Sequence, residues 1–176
     1  LVLVLLGIAL IITGYNLVFA PAMNLEPEQT RHIHIRTGWD FGETMQMLKE
    51  EEILRYPRAF EQLAKRKKYP QLVRPGRFLI TSEMSNSDLV NLLRTGKQDP
   101  VNLIFNNIRT PEQLAGRVAR QIEADSGSLI HVFRDSSYHQ RFGIPKYQLA
   151  MLFIPNTYEF FWNTSAEGFI ERMHRE

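Results

Sequence analysis

Between Leu152 and Trp162 the chain sets one acid, Glu159, and two hydrogen-bonding side chains, Asn156 and Thr157, among the rings of Tyr158, Phe160, Phe161 and Trp162, just after Pro155. Flat ring faces stack on the C–H faces of pyranose rings, while amide, hydroxyl and carboxylate groups beside them can bind sugar hydroxyls and N-acetyl groups. The pattern points to a saccharide groove with Asn156, Thr157, Tyr158, Glu159 and Trp162 as its binding residues. A plainer reading stays open, because an aromatic run after a turn also suits a buried core. Glu159 itself has three roles open to it: a proton donor with its pKa raised by the rings, a hydrogen-bond partner for substrate, or a structural acid beside a turn.

Other reactive groups offer less. His32 and His34 would share one face of a strand, but no third ligand stands near them in the sequence, so no metal is expected. Glu43 and Glu112 read as first-turn helix acids, and Asp125 and Asp135 as loop acids. There is no glycine-rich phosphate loop and no Ser-His-Asp ordering, so neither nucleotide chemistry nor acyl transfer is supported and no cofactor is expected. With 21 basic and 19 acidic residues, the charge balance also argues against a nucleic-acid partner. The basic run Lys65 to Lys68 reads as a solvated helix end, where cations complement the dipole. The absence of cysteine removes disulfides and thiolate metal sites.

The elements that position these groups begin with an uncharged stretch. From Leu1 to Ala20 the residues are almost wholly apolar, and about 20 such residues in a helix span the hydrocarbon layer. A secretory signal has a shorter apolar region, of about 7–15 residues, so a retained anchor over 1–22 is expected. The flank after it has acids and no Lys or Arg near the span, which favours an extracytoplasmic soluble part. The chain opens on Leu1 rather than Met and ends inside a helical pattern, so a fragment is expected.

After a polar linker over 23–30, His32 to Arg36 alternates as a strand. Asp40 and Glu43 form a cap and N3 pair before Phe41, Thr44, Met45 and Leu48. Pro57 opens a second helix, Arg77 to Thr81 reads as a strand, Ser85 and Asp88 form a capping box, and Gly96 stops the helix that follows. Val101 to Phe105 reads as the strand completing one small α+β unit over 31–106. Beyond it, Thr110, Pro111 and Gln113 begin a helix carrying Leu114, Val118 and Ile122, for which Gly127 is the expected terminator. A last helix follows Asn163 and Thr164, capped by Thr164 or Ser165.

Taken together, the uncharged span, Val73-Arg74-Pro75-Gly76-Arg77-Phe78, the helix start at Met84 to Val90 with Gly96-Lys97 at its end, and Phe153-Ile154-Pro155-Asn156-Thr157-Tyr158 resemble the YceG-like endolytic murein transglycosylases. The resemblance covers nearly the whole chain. It implies an α+β protein with an N-terminal transmembrane helix, a small LysM-like module over 31–106, and over 107–176 the first part of an α+β catalytic domain. Many family members have Glu-Gly where Ala150 and Met151 stand, and Asp where Asn156 stands, so those acids cannot be carried over. The family's catalytic glutamate is on a segment further along, which implies no catalytic residue within these 176.

The same resemblance implies a single-pass protein of the cell (inner) membrane. Its partners would be peptidoglycan glycan strands, the lipid bilayer and cell-wall synthases, and it would cleave nascent strands between MurNAc and GlcNAc to leave 1,6-anhydroMurNAc ends. The alternative is a non-catalytic tethered protein that binds peptidoglycan or acts as a scaffold, with Trp39, Tyr56 and Tyr69 as the aromatic candidates of its module.

Overall fold

The computed structural model describes residues 2–104, 108, 110–143 and 156–175, a mixture of helices and small sheets. The chain divides into two compact units, Leu1–Asp99 and Pro100–Glu176, each with its own buried cluster.

The first unit opens with helix α1, Val2–Phe19, whose mean hydropathy of 2.4 over 18 residues makes it long and apolar enough to cross a membrane. The module that follows runs strand, helix, helix, strand, helix. Strand β1, Thr30–Ile35, pairs antiparallel with β2, Gly76–Thr81, from Thr30 opposite Thr81 to Ile35 opposite Gly76. Between them lie α2, Phe41–Glu50, and α3, Pro57–Arg66, and after them α4, Asn86–Thr95. Alternation along the strands turns Ile33, Ile35, Phe78 and Ile80 inward, where they pack with Leu48, Phe60, Leu89 and Leu93. Removing each such side chain from water contributes about 1.5–3 kcal/mol as an upper bound.

Local signals fix the helix ends. Asp40 accepts from the Glu43 N–H at 2.9 Å while the Glu43 carboxylate accepts from the Asp40 N–H at 2.7 Å. Ser85 and Asp88 open α4 in the same reciprocal way. Gly96 ends α4 at φ 69, a left-handed position where a Cβ would also run into the Arg74 side chain.

Residues 21–24, expected to lie in or beside a polar linker, are instead built into this core. Ala22 and Met23 are each 1% exposed. Ala22 N–H donates to Met84 O at 2.9 Å, Arg55 N–H to Ala22 O at 2.9 Å, and Asn24 N–H to Ile53 O at 2.8 Å. Lys67 also departs from its expected place at a solvated helix end. Its Nζ donates to Ser87 Oγ at 2.7 Å and to Asn91 Oδ1 at 2.9 Å, tying the end of α3 to α4.

In the second unit, β3, Val101–Ile104, pairs antiparallel with β4, Thr157–Phe160. The strand expected to complete the first unit therefore belongs to the second, because Val101 and Leu103 find their apolar neighbours in Phe160 and Tyr158. Helices α5, Pro111–Val118, α6, Ser126–Arg134, and α8, Ala166–Arg175, contribute Leu114, Leu129, Phe133, Phe169 and Ile170 to the same core. The short α7, Ser136–Phe142, lies between α6 and the last strand. Gly127, expected to stop a helix, sits in the first turn of α6 at ordinary negative φ. Asp125, expected in a loop, caps that turn by accepting from the Gly127 and Ser128 N–H groups at 2.7 and 2.9 Å. Asp135 likewise accepts from the Ser137 N–H at 2.8 Å.

Candidate functional site

The five residues expected to bind sugar do not share one face. Strand β4 alternates, so Thr157 and Glu159 point outward while Tyr158 and Phe160 point into the core at 7% and 1% exposure. Tyr158 is therefore a packing residue opposite Leu103 rather than a ring on an open shelf. Asn156 is exposed, and its Oδ1 accepts from the Thr157 N–H at 2.8 Å, which fixes the entry into the strand. Trp162 is half-buried, and its carbonyl accepts from the Glu123 N–H at 2.7 Å. Leu152 to Pro155, the other half of the motif, lie outside the described residues.

The register completes the outward strip with two residues that the chain's local patterns did not single out. Asn102 stands opposite Glu159, and Ile104 opposite Thr157. Directly opposed residues in an antiparallel pair have Cβ atoms about 5 Å apart. Asn102, Thr157 and Glu159 thus present an amide, a hydroxyl and a carboxylate side by side, with the exposed Ile104 on the same face and the exposed Phe161 just beyond. Such a strip can accept and donate hydrogen bonds to vicinal hydroxyls. The alternation of Val101 to Ile104 marks Asn102 and Ile104 as outward, but the strand opposite begins 53 residues after Ile104 and no local pattern names it.

Proton donation is a different requirement, since a general acid needs its pKa raised by burial. Among the described residues, the carboxyls displaced from their ordinary range all move down. The Lys65 ammonium lowers Glu61, a hydrogen bond from Ser82 lowers Glu83, the backbone N–H of Glu112 and then Arg134 lower Glu112, and the Ser128 and Gly127 N–H groups lower Asp125. Burial pushes Asp99 upward, but hydrogen bonds from His32 and Arg77 outweigh it and leave the group below its usual value.

That same cluster accounts for one of the two histidines. His32 Nε2 lies 2.7 Å from Asp99 Oδ2, an oxygen that also accepts from Arg77 at 2.5 Å. Burial, with Arg77 second, holds the His34 imidazole below its ordinary pKa. No group of three His, Asp or Glu among the described residues is placed to hold a metal ion.

In the first unit, cavities flank the end of α2. One, of about 520 Å³, lies between α2 and α3 and is lined by Phe41, Met45, Gln46, Lys49, Glu50 and Lys65. The other, of about 560 Å³, includes Leu17, Lys49, Arg55, Tyr56 and Arg58. Of the aromatic residues expected to hold glycan in this unit, only Tyr56 is open. Trp39 packs partly against the core, and Tyr69 is fully buried edge-on to Phe41 at 5.8 Å, where burial raises its phenol pKa far above the usual value.

A family description built on many sequences, that of the YceG-like family, matches residues 33–176. The chain belongs to the YceG-like family. A crystal structure of a YceG-like protein from Listeria monocytogenes shares 17% identity with it over 84% of this chain and 53% of that one, with a TM-score of 0.44. The chain thus spans about half the length of that relative. Among curated proteins, none matches. The YceG-like match takes in most of the first unit after α1 and the whole of the second, so the strip on β3 and β4 and both cavity regions after Leu17 lie within the family's common sequence.

Proposed function

We propose that this YceG-like chain is the anchor, the glycan-holding module and the leading part of the catalytic domain of a membrane-anchored endolytic peptidoglycan lytic transglycosylase. The family match over 33–176 carries the reading. Two features of the structure support it. The antiparallel β1–β2 pair with α2 and α3 between the strands is the order expected of a LysM-like module. The long apolar side chains along α1 are mostly exposed, a surface that needs lipid around it. The lack of a basic residue just after α1 favours soluble units outside the cytoplasm, the side on which such an enzyme would meet nascent strands.

The chemistry asks for one carboxyl group rather than two. A protonated glutamate donates to the glycosidic oxygen between MurNAc and GlcNAc, and the C1–O bond breaks. The 6-hydroxyl of the same MurNAc then attacks C1 and returns its proton to the carboxylate, closing a 1,6-anhydro ring without water. A hydrolase, in contrast, holds a second acid for the nucleophile or its water. The carboxyls that are displaced among the described residues all move down, away from what a proton donor needs. The strip of Asn102, Thr157 and Glu159 is then a place to hold sugar hydroxyls, not the cutting group.

The test incubates the longest natural polypeptide containing this chain with uncrosslinked peptidoglycan and reads the ends by mass spectrometry. New 1,6-anhydroMurNAc ends from the long form, and none from residues 1–176, are expected. Binding of glycan without any anhydro ends would refute the enzyme and leave a tethered peptidoglycan-binding or scaffold protein.

A further inference from the structure

We propose that the outward strip on β3 and β4 seats GlcNAc in preference to MurNAc, with Phe161 as the platform on which the sugar ring stacks; this deepens the glycan reading above and rests on it. Among the described residues of the second unit, the large apolar side chains left exposed are Ile104 and Phe161, at 49% and 54%. Both stand on the strip that carries Asn102, Thr157 and Glu159. The side chains of those three have no hydrogen-bond or ion-pair partner among the described residues. Exposed apolar groups and unengaged polar groups thus coincide on one face, and neither kind is explained by the packing of the unit itself.

The spacing suits a sugar. Alternation puts Thr157, Glu159 and Phe161 on one side, each about 7 Å from the next along the chain, and Asn102 stands opposite Glu159. Phe161 follows the last residue of β4, and its exposure beside the buried Phe160 shows that it continues the alternation. Its carbonyl accepts from the Thr164 N–H at 3.0 Å and from the Thr164 hydroxyl at 2.6 Å. The backbone that carries the ring is therefore fixed at the head of a turn, while the ring itself stays outside the core.

Charge decides between occupants. A protein segment laid over the strip would bury the Glu159 carboxylate with no cation to meet it, which is costly. A pyranose stacks its C–H face on Phe161, gives hydroxyl donors to Glu159 and Thr157, sets its N-acetyl group against Asn102, and leaves water around the carboxylate. MurNAc differs from GlcNAc by a 3-O-lactyl group, whose carboxyl, free or extended by a stem peptide, brings negative charge. Glu159 is the one charged side chain on the strip, and a second negative charge about 4 Å away in water is disfavoured by roughly five-fold. In a strand that alternates the two sugars, this preference sets the frame in which the strand lies.

The experiment titrates the whole chain, in detergent micelles without a sugar headgroup, and reads affinity by calorimetry. The probes are the GlcNAc tetramer, the GlcNAc–MurNAc tetrasaccharide with free lactyl carboxylates, and the same tetrasaccharide as its neutral methylamide. The parent is expected to bind the GlcNAc tetramer about five-fold more tightly than the free acid. The F161A variant should bind the GlcNAc tetramer about ten-fold more weakly, F161W should bind it as the parent does, and both should unfold at the parent's temperature because the ring is exposed. The E159Q variant should raise the free acid to the affinity of its methylamide. An F161A variant that binds like the parent overturns the strip alone, since the chain then holds glycan elsewhere. Equal affinities of the parent for the GlcNAc tetramer and the free acid, or an E159Q variant that still binds the free acid more weakly than its methylamide, overturn the selection against MurNAc. A parent that binds none of the three saccharides overturns the strip and the glycan-holding reading together.

Discussion

Phe169→Ala tests whether the two cores stand apart. Phe169 is fully buried on α8, with ring centroids 5.2 Å from Phe160 on β4 and 6.2 Å from Phe133 on α6. One side chain thus joins three elements of the second unit. Truncating a buried Phe to Ala removes its transfer energy and leaves a cavity, together about 3–5 kcal/mol. At about 0.05–0.15 kcal/mol per residue, a unit the length of Pro100–Glu176 holds roughly 4–12 kcal/mol, so the substitution takes about a quarter or more of it. None of that loss falls on the first unit, whose buried cluster shares no residue with the second. Hydrogen exchange read by mass spectrometry should show amides in α5, α6 and α8 losing protection by a hundred-fold or more, while those of β1, β2 and α4 exchange as before. A parallel loss of protection in β1 and β2 would refute the separation of the cores.

Four further outcomes follow from contacts already described. Met23→Ala should lower the stability of the first unit by about 2–5 kcal/mol in urea unfolding, where the same change in a free linker would cost nothing. The Asp99 carboxyl lies below its usual pKa, so its contribution is present above about pH 4 and lost as pH falls through the folded value; Asp99→Asn should therefore destabilise at pH 6 and be nearly silent at pH 2.5, by under about 1 kcal/mol because the side chain is 36% exposed. The His34 imidazole is shifted the same way but is a base, so its protonation works against folding below about pH 6.5, and His34→Gln should flatten the stability profile between pH 6.5 and 5. In the long polypeptide, Thr157→Val with Glu159→Gln should reduce formation of anhydro ends without moving the unfolding temperature, whereas Tyr158→Ala should lower that temperature, since only Tyr158 is in the core.

What could be read directly from the chain was what is settled within a few residues. Asp40 with Glu43, Ser85 with Asp88, Pro57, Gly96 and the Thr110 cap each act over a single helical turn, and each lies where its local pattern places it. Partners far along the chain were not readable in this way. Val101 to Ile104 is recognisable as a strand, but whether it pairs with β2 or with a segment beyond residue 150 depends on which apolar face remains uncovered. Met23 sits in a polar neighbourhood and carries no local sign that Leu54 will pair with it. Asp125 carries a local signal that competes with that of Gly127: an acid two and three residues before Gly127 and Ser128, ahead of Leu129, is an N-cap pattern, whereas a glycine after an apolar stripe equally suits a helix stop. At the site, the period-two sequence Thr-Tyr-Glu-Phe already separates Thr157 and Glu159 from Tyr158 and Phe160, but the proline turn before it hid the strand.

The splice between α1 and the module gives the helix a mechanical role. A helix end normally leaves its last carbonyls unmade. Here Asn16 O accepts from the Ala20 N–H at 3.0 Å and Leu17 O from Asn86, and the chain then enters the core through bridges of Pro21 with Ser85 and Met23 with Leu54. No slack remains between the last turn of the span and the first buried residue, Ala22. A flexible tether of even ten residues would let a module wander over about 15–20 Å, whereas this joint holds it at one height and tilt relative to the end of α1. Under the proposed function that constraint would matter, because the height of the module would set which part of a glycan strand it can hold.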